Sequence, residues 1–258
     1  MTTTVLPSGQ TLSYVDHGGD GPAVVLLHAF LMDTDMFAPQ VRDLGDVLRL
    51  VAVDERGHGG TPADEPFDYW DVARDVLALL DELGIEQAAV VGTSQGGFDG
   101  MRMALLAPDR VRALALLGTS AAEQDPAIAE AYRGLGEAWV QNGPVEPLLD
   151  TIATICLGAM DAEDWRAKWR QVPGERVLRT ITTLVDRESL VDRLGEITCP
   201  VLVLHGSADG AYPPEHAQQI VDLVPGARPL VLVDGGAHFL SLTDADAVDP
   251  ALREFLTS

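Results

Sequence analysis

The sequence predicts an α/β protein: a doubly wound, mostly parallel sheet with a block of helices inserted between two of its strands. Three observations carry this. Six apolar runs of strand length are continuous rather than alternating, as in strands buried on both faces of a parallel sheet. Helical patterns lie between them, and such alternation builds a parallel sheet with helices on both sides. Between Thr119 and Thr198 the alternation stops, and only helical patterns remain.

The elements follow in order. Two short alternating stretches, around Thr4–Leu6 and Gln10–Val15, flank "PSG" and read as a hairpin. The apolar runs are "AVVLLHA" (23–29), "LRLVAVD" (48–54), "AAVVG" (88–92), "VRALALLG" (111–118), "VLVLHG" (201–206) and "RPLVLVD" (228–234). Helices are expected near 34–45 and over 69–84, 95–107, 214–224 and 244–256. The inserted block comprises "PAIAEAYRGLGEAWVQNG", "VEPLLDTIATICLGAM", "DAEDWRAKWRQV" and "ERVLRTITTLVDRESLVDRL".

Charge and composition narrow the function. The chain has 258 residues, with 40 Asp and Glu against 17 Lys and Arg, for a net charge of −23. Such a surface repels phosphate backbones and anionic lipid, so neither nucleic acid nor a membrane surface is an expected partner. The plainest role for the charge is solubility. The sole lysine, Lys168, lies far from Gly92–Gly97, which excludes a Walker-type phosphate loop there. Cys156 and Cys199 read as core thiols rather than a disulfide framework. No signal peptide or membrane-length apolar run occurs, which points to a cytoplasmic protein. No cysteine cluster or histidine pair at metal-ligand spacing is present, so no metal and no organic cofactor are expected.

The most informative stretch is "AAVVGTSQGGFDGMRMALLA", residues 88–107. A buried strand ends in a knot of glycines around Ser94, and a helix starts at once. A sharp turn of this kind lifts a side chain clear of the sheet's carboxyl edge, where open α/β sheets bind ligands. Gly92, Gly96 and Gly97 supply the small neighbours that a strained, closely approached residue requires. The helix aims its free N–H groups at the same place. G-T-S-Q-G is the G-x-S-x-G pattern of a nucleophilic serine. The bland alternative, a glycine turn for a cofactor phosphate, fits poorly because the spacing is not G-x-G-x-x-G.

A serine hydroxyl needs a base, and usually a carboxylate to orient that base. Among six histidines, His17, His58, His205 and His216 read as structural or solvated, and His28 as a brace for the loop behind it. His238, in "VDGGAHFLS" after the last strand, can reach back over the sheet edge. Asp209, in "LHGSADGAYPP" after the next-to-last strand, is the expected acid; alone it would read as a turn aspartate before Gly210. Glu123 and Asp125, past the strand that follows the Ser94 helix, are the weaker alternatives. The chain order Ser94, Asp209, His238 suits this fold. An oxyanion hole would take one N–H from Gln95 and another from the loop His28-Ala29-Phe30. Asp99, early in the helix behind Ser94, reads as a helix-dipole partner.

These motifs give the chain its likeness. "VVLLHAFLMD", "VAVDERGHGGT", "VVGTSQGG", "PVLVLHGSADGAYPP" and "VDGGAHFLSL" arrive in one family's order over nearly the whole chain. The sequence resembles the α/β-hydrolase fold superfamily, in its small esterase, lactonase and peroxidase-like branch. The resemblance implies Ser94 as nucleophile, Asp209 and His238 as its partners, and the N–H groups of Phe30 and Gln95 as oxyanion donors. It implies a hydrolase core over 1–118 and 199–258 and a helical cap over 119–198. Departures are Ala29 where the family usually has glycine after histidine, and Ala237 before His238. Phe239 stands where carbon–carbon bond hydrolases tend to carry tryptophan. Ser94 argues against the dehalogenase and epoxide-hydrolase branches, whose nucleophile is aspartate.

The inserted block carries Trp139, Cys156, Leu157, Met160, Trp165 and Trp169, with Trp165 and Trp169 on one helical face. These residues either pack the block onto the sheet or, with Phe239, line an apolar substrate pocket. The expected activity is hydrolysis of a small apolar ester or lactone through an acyl-enzyme. The alternatives are a perhydrolase or carbon–carbon bond hydrolase, and a ligand-binding or signalling protein with little turnover.

Overall fold

The computed structural model describes residues 1–258. Eight strands form one sheet: β1 (Thr2–Val5), β2 (Thr11–Asp16), β3 (Ala23–Leu27), β4 (Arg49–Asp54), β5 (Ala88–Thr93), β6 (Val111–Leu117), β7 (Val201–Gly206) and β8 (Val231–Val233). Their spatial order is β1-β2-β4-β3-β5-β6-β7-β8. The β1–β2 and β2–β4 pairs are antiparallel, and every other pair is parallel. The continuous apolar runs have a direct cause. Val24 and Leu26 enter the core on one face of the sheet, while Val25 and Leu27 enter the core on the other. The same alternation holds for Leu202 and Leu204 against Val201 and Val203.

Helices cover both faces. One layer holds α2 (Tyr69–Glu82), α3 (Gln95–Leu106) and α8 (Glu215–Leu223); the other holds α1 (Ala38–Leu44), α9 (Leu240–Thr243) and α10 (Ala245–Thr257). An Asp68–Asp71 capping box starts α2 by satisfying N–H groups that have no helical partner. The last strand is shorter than the apolar run 228–234 suggests: β8 is an edge, and Leu232 is 51% exposed.

Between β6 and β7 the chain forms α4 (Pro126–Asn142), α5 (Glu146–Leu157), α6 (Glu163–Trp169) and α7 (Gly174–Val185). Hydrogen bonds tie this helical segment to loops at the sheet's carboxyl edge. Trp169 Nε1 donates to Leu31 O at 2.8 Å, Thr183 Oγ1 to Phe67 O at 2.8 Å, and Phe239 N to Cys156 O at 2.9 Å. No helix is long and apolar enough to cross a membrane.

Candidate active site

The chain steps to one side of β3 to make β4, then crosses to the other side to make β5 and β6. The carboxyl edge between β3 and β5 is therefore a topological switch point, the place where open sheets leave a crevice. Ser94 sits there, between β5 and α3, with φ +52° and ψ −111°. A non-glycine residue in this region costs on the order of 1–3 kcal/mol, which the surrounding packing must hold. The three glycines act through close approach. A Cβ on Gly92 would stand 2.3 Å from Gly96 O, one on Gly96 2.1 Å from Leu27 O, and one on Gly97 2.6 Å from Thr119 Oγ1. None of the three has a positive φ; the strain is concentrated on Ser94 itself.

Ser94, His238 and Asp209 come together from three loops at this edge. Ser94 Oγ lies 2.9 Å from His238 Nε2, and His238 Nδ1 lies 2.8 Å from Asp209 Oδ2. Ser94 and His238 are 5% and 4% exposed. An ionised carboxylate only accepts, so His238 Nδ1 carries the proton and Nε2 is left to accept from the Ser94 hydroxyl. Asp209 is held by three donors, the Ala211 and Tyr212 N–H groups and His238 Nδ1. Its Oδ1 accepts from the N–H groups of Ala211 and Tyr212 at 2.8 and 3.0 Å. Its Oδ2 faces His238 and also His205 Nε2, at 3.3 Å. Burial pushes the Asp209 carboxyl up, but the His238 hydrogen bond and charge and the two backbone donors outweigh it, and the net shift is downward. Glu123 and Asp125 are exposed, and Asp125 caps α4 through Ala127 N and Ile128 N.

Phe30 lies in the loop after β3, and its N–H makes no hydrogen bond within the protein. Gln95 is the first residue of α3, with no preceding helical turn to accept from it. His28 O accepts from Gly96 N at 3.0 Å, joining that loop to the start of α3. Ala29 is free of the left-handed strain that would demand glycine; the positive φ falls on Leu31 instead, at +63°.

The apolar candidates divide. Phe239 is buried with its ring 5.0 Å from that of His238. Trp139 donates to Val172 O and Trp169 to Leu31 O, bonds that hold both indoles within or beneath the helical segment. Leu157 is buried, Met160 partly so, and Lys168 Nζ sits 4.4 Å from the centre of the Trp165 ring. Two further aromatic rings beside these loops carry no sequence signal. The Tyr212 ring stands 5.5 Å from His238, and Tyr132 meets Phe30 edge-on at 6.2 Å.

Asp99 is not a helix-dipole partner. It is fully buried, neither carboxyl oxygen has a donor, and burial, followed by the neighbouring Glu55 charge, raises it well above the carboxylate range. Every residue from Gln95 to Ala104 is buried, so α3 has no solvent face on which an ionised aspartate could sit.

Residues 22–245 match the alpha/beta hydrolase fold family, and the chain belongs to it. It is 31% identical to the serine hydrolase BPHL of Mus musculus over 268 residues, covering 98% of this chain and 85% of that protein. The enol-lactonase from Burkholderia xenovorans LB400 superposes with a TM-score of 0.90 at 27% identity, over 100% of both chains. A thermophilic esterase from Thermogutta terrifontis does so with a TM-score of 0.88 at 26% identity, over 99% of this chain and 97% of that one.

Proposed function

We propose that the protein is a serine hydrolase of carboxylic esters or lactones working through an acyl-enzyme. One observation carries the reading: a strained serine hydroxyl at the switch point, within 2.9 Å of an imidazole that is itself within 2.8 Å of a buried carboxylate. In this reading Ser94 Oγ attacks the acyl carbon while His238 Nε2 takes its proton. The carbonyl oxygen gathers negative charge between the N–H groups of Phe30 and Gln95. Collapse of the tetrahedral intermediate breaks the bond to the alkoxide, which leaves with the proton from His238. Water, deprotonated by the same imidazole, then releases the acid and regenerates Ser94. Asp209 keeps His238 in the required tautomer and stabilises its charged form. Residues 119–198 serve as a cap, with Phe239 beside the reacting groups and Leu157 and Met160 toward the substrate. The mechanism calls for no metal or organic cofactor.

The similarity to an enol-lactonase and an esterase supports both substrate classes equally. The deciding experiment is a panel of p-nitrophenyl esters and simple lactones, with Ser94→Ala as control. Sustained turnover lost in the variant supports the hydrolase; turnover that survives in Ser94→Ala overturns it.

A further inference from the structure

A second buried polar cluster lies behind Gln95, apart from Ser94, His238 and Asp209. Glu55 follows β4 and is 1% exposed; Asp99 lies on α3 and is fully buried. Glu55 Oε2 accepts from Gln95 Nε2 at 2.5 Å, and Tyr69 Oη donates to Gln95 Oε1 at 3.3 Å. The Glu55 N–H donates to His28 Nε2 at 3.0 Å, and the other imidazole nitrogen, Nδ1, lies 2.8 Å from Ala29 O. Glu55 thus grips both walls of the space between the Phe30 and Gln95 N–H groups. Its carboxylate holds the start of α3, and its backbone holds the loop after β3.

Asp99 stands one helical turn beyond Gln95, the residue that Glu55 holds, and the two carboxyls are close enough for each to shift the other's titration. Three of their four oxygens, Glu55 Oε1 and both of Asp99, have no donor. The cations nearest in sequence bond elsewhere: Arg56 to Asp75, and Arg102 to Phe98 O and Glu188 O. Two ionised carboxylates here would put like charges close together, out of water, with acceptors unfilled. A single proton between them removes one charge and supplies the missing donor.

We propose that Glu55 and Asp99 share one proton and act as a positioning pair, fixing Gln95 and the His28–Phe30 loop around the point where an acyl oxygen would bear its charge. The second half of this inference rests on the reading of Ser94 as nucleophile. Burial raises both carboxyls, which favours the protonated form of each. The groups facing the pair are His28 at the end of β3, Asp54 beside Glu55, Gln95 and Arg102 on α3, and Tyr69 and Asp75 on α2. Loss of the shared proton at alkaline pH would place a second negative charge behind the oxyanion donors and oppose the charge they stabilise.

The test has two arms. Infrared spectra in D2O at neutral pH should show a protonated-carboxyl band in the wild type that is missing from Asp99→Asn and from Glu55→Gln. A band shared by all three, or none in the wild type, overturns the shared proton. The second arm is the rate of Ser94 modification by a fluorophosphonate probe. The wild-type rate should fall on the alkaline side, whereas Asp99→Asn, which has no proton to lose, should stay level there. Glu55→Leu should slow modification at saturating probe about tenfold or more with probe affinity kept, and Glu55→Gln should restore most of the rate. An unchanged rate in Glu55→Leu, or an alkaline fall retained in Asp99→Asn, overturns the positioning role. If Glu55→Leu does not fold, the Asp99→Asn profile decides. If wild-type Ser94 takes no label, the nucleophile reading and the positioning role fall together, while the infrared band still judges the proton.

Discussion

On one side of Ser94 stands Asp209; on the other stand Glu55 and Asp99. All three side chains are shut away from water, yet they are treated in opposite ways. Asp209 meets two backbone N–H groups and the His238 imidazole, and its carboxyl is held below the usual range. Between them Glu55 and Asp99 have one side-chain donor, the Gln95 amide, and both are raised. Burial alone pushes every one of them up. What differs is the number of donors, and that decides whether a buried acid is a charge or a proton carrier. A charge suits the partner of an imidazole that must become positive; a neutral acid suits the neighbourhood of a developing oxyanion.

The largest effect should come from breaking the charged side. Asp209→Asn keeps the shape but cannot hold His238 in the same tautomer, and turnover of an ester substrate should fall on the order of 10⁴-fold. The same variant has a pH signature in stability. Asp209 has a depressed folded-state value, so its contribution is complete above the ordinary carboxylate range and is lost as pH falls through the depressed value. Denaturation midpoints of wild type and Asp209→Asn should therefore converge in acid.

A smaller break loosens the turn that supplies two of the Asp209 donors, where His205 Nε2 lies 3.0 Å from Tyr212 O. His205→Phe should cost about 0.5–1.5 kcal/mol of stability, the worth of a hydrogen bond to a neutral carbonyl. Urea unfolding at neutral pH measures it.

On the proton-carrying side the sign reverses. A carboxyl raised in the folded state binds a proton that the unfolded chain releases, so folding loses stability as pH rises from the ordinary range toward the raised value. Asp99→Asn removes that loss. Relative to wild type it should gain up to about 1.4 kcal/mol per pH unit over that span. A parallel pair of stability–pH curves would show that Asp99 is ionised after all.

The smallest effect lies at the surface. Lys168 bridges Asp33 and Asp35 at 2.8 and 2.6 Å, with its side chain 37% exposed. Lys168→Met should change stability by less than about 1 kcal/mol, because solvent screens both partners.

This contrast explains what the sequence could reveal. Strands buried on both faces write themselves as unbroken apolar runs, so β3 to β7 are legible; the edge strand β8 carries the same composition but pairs over only Val231–Val233. Ser94 is legible because the close approaches around it demand three glycines. Asp209 and His238 follow from their places after successive strands. Glu55 leaves no such mark: it sits between Asp54 and Arg56 in what looks like a solvated, charged loop. Its neighbours are not solvated either: Asp54 accepts from Thr34 N and Gly60 N, and Arg56 pairs with Asp75. Asp99 misleads for a related reason. A helix start usually offers an acid to water, but α3 is enclosed from its first turn.

The central claim, that Ser94 is the nucleophile whose charge-bearing partner is Asp209, is tested most directly by covalent labelling. Treatment with a fluorophosphonate probe, followed by intact mass and peptide mapping, should find one adduct, on Ser94. Ser94→Ala should take none, and Asp209→Asn should label far more slowly. Equal labelling of Ser94→Ala, or an adduct on another residue, would contradict the account.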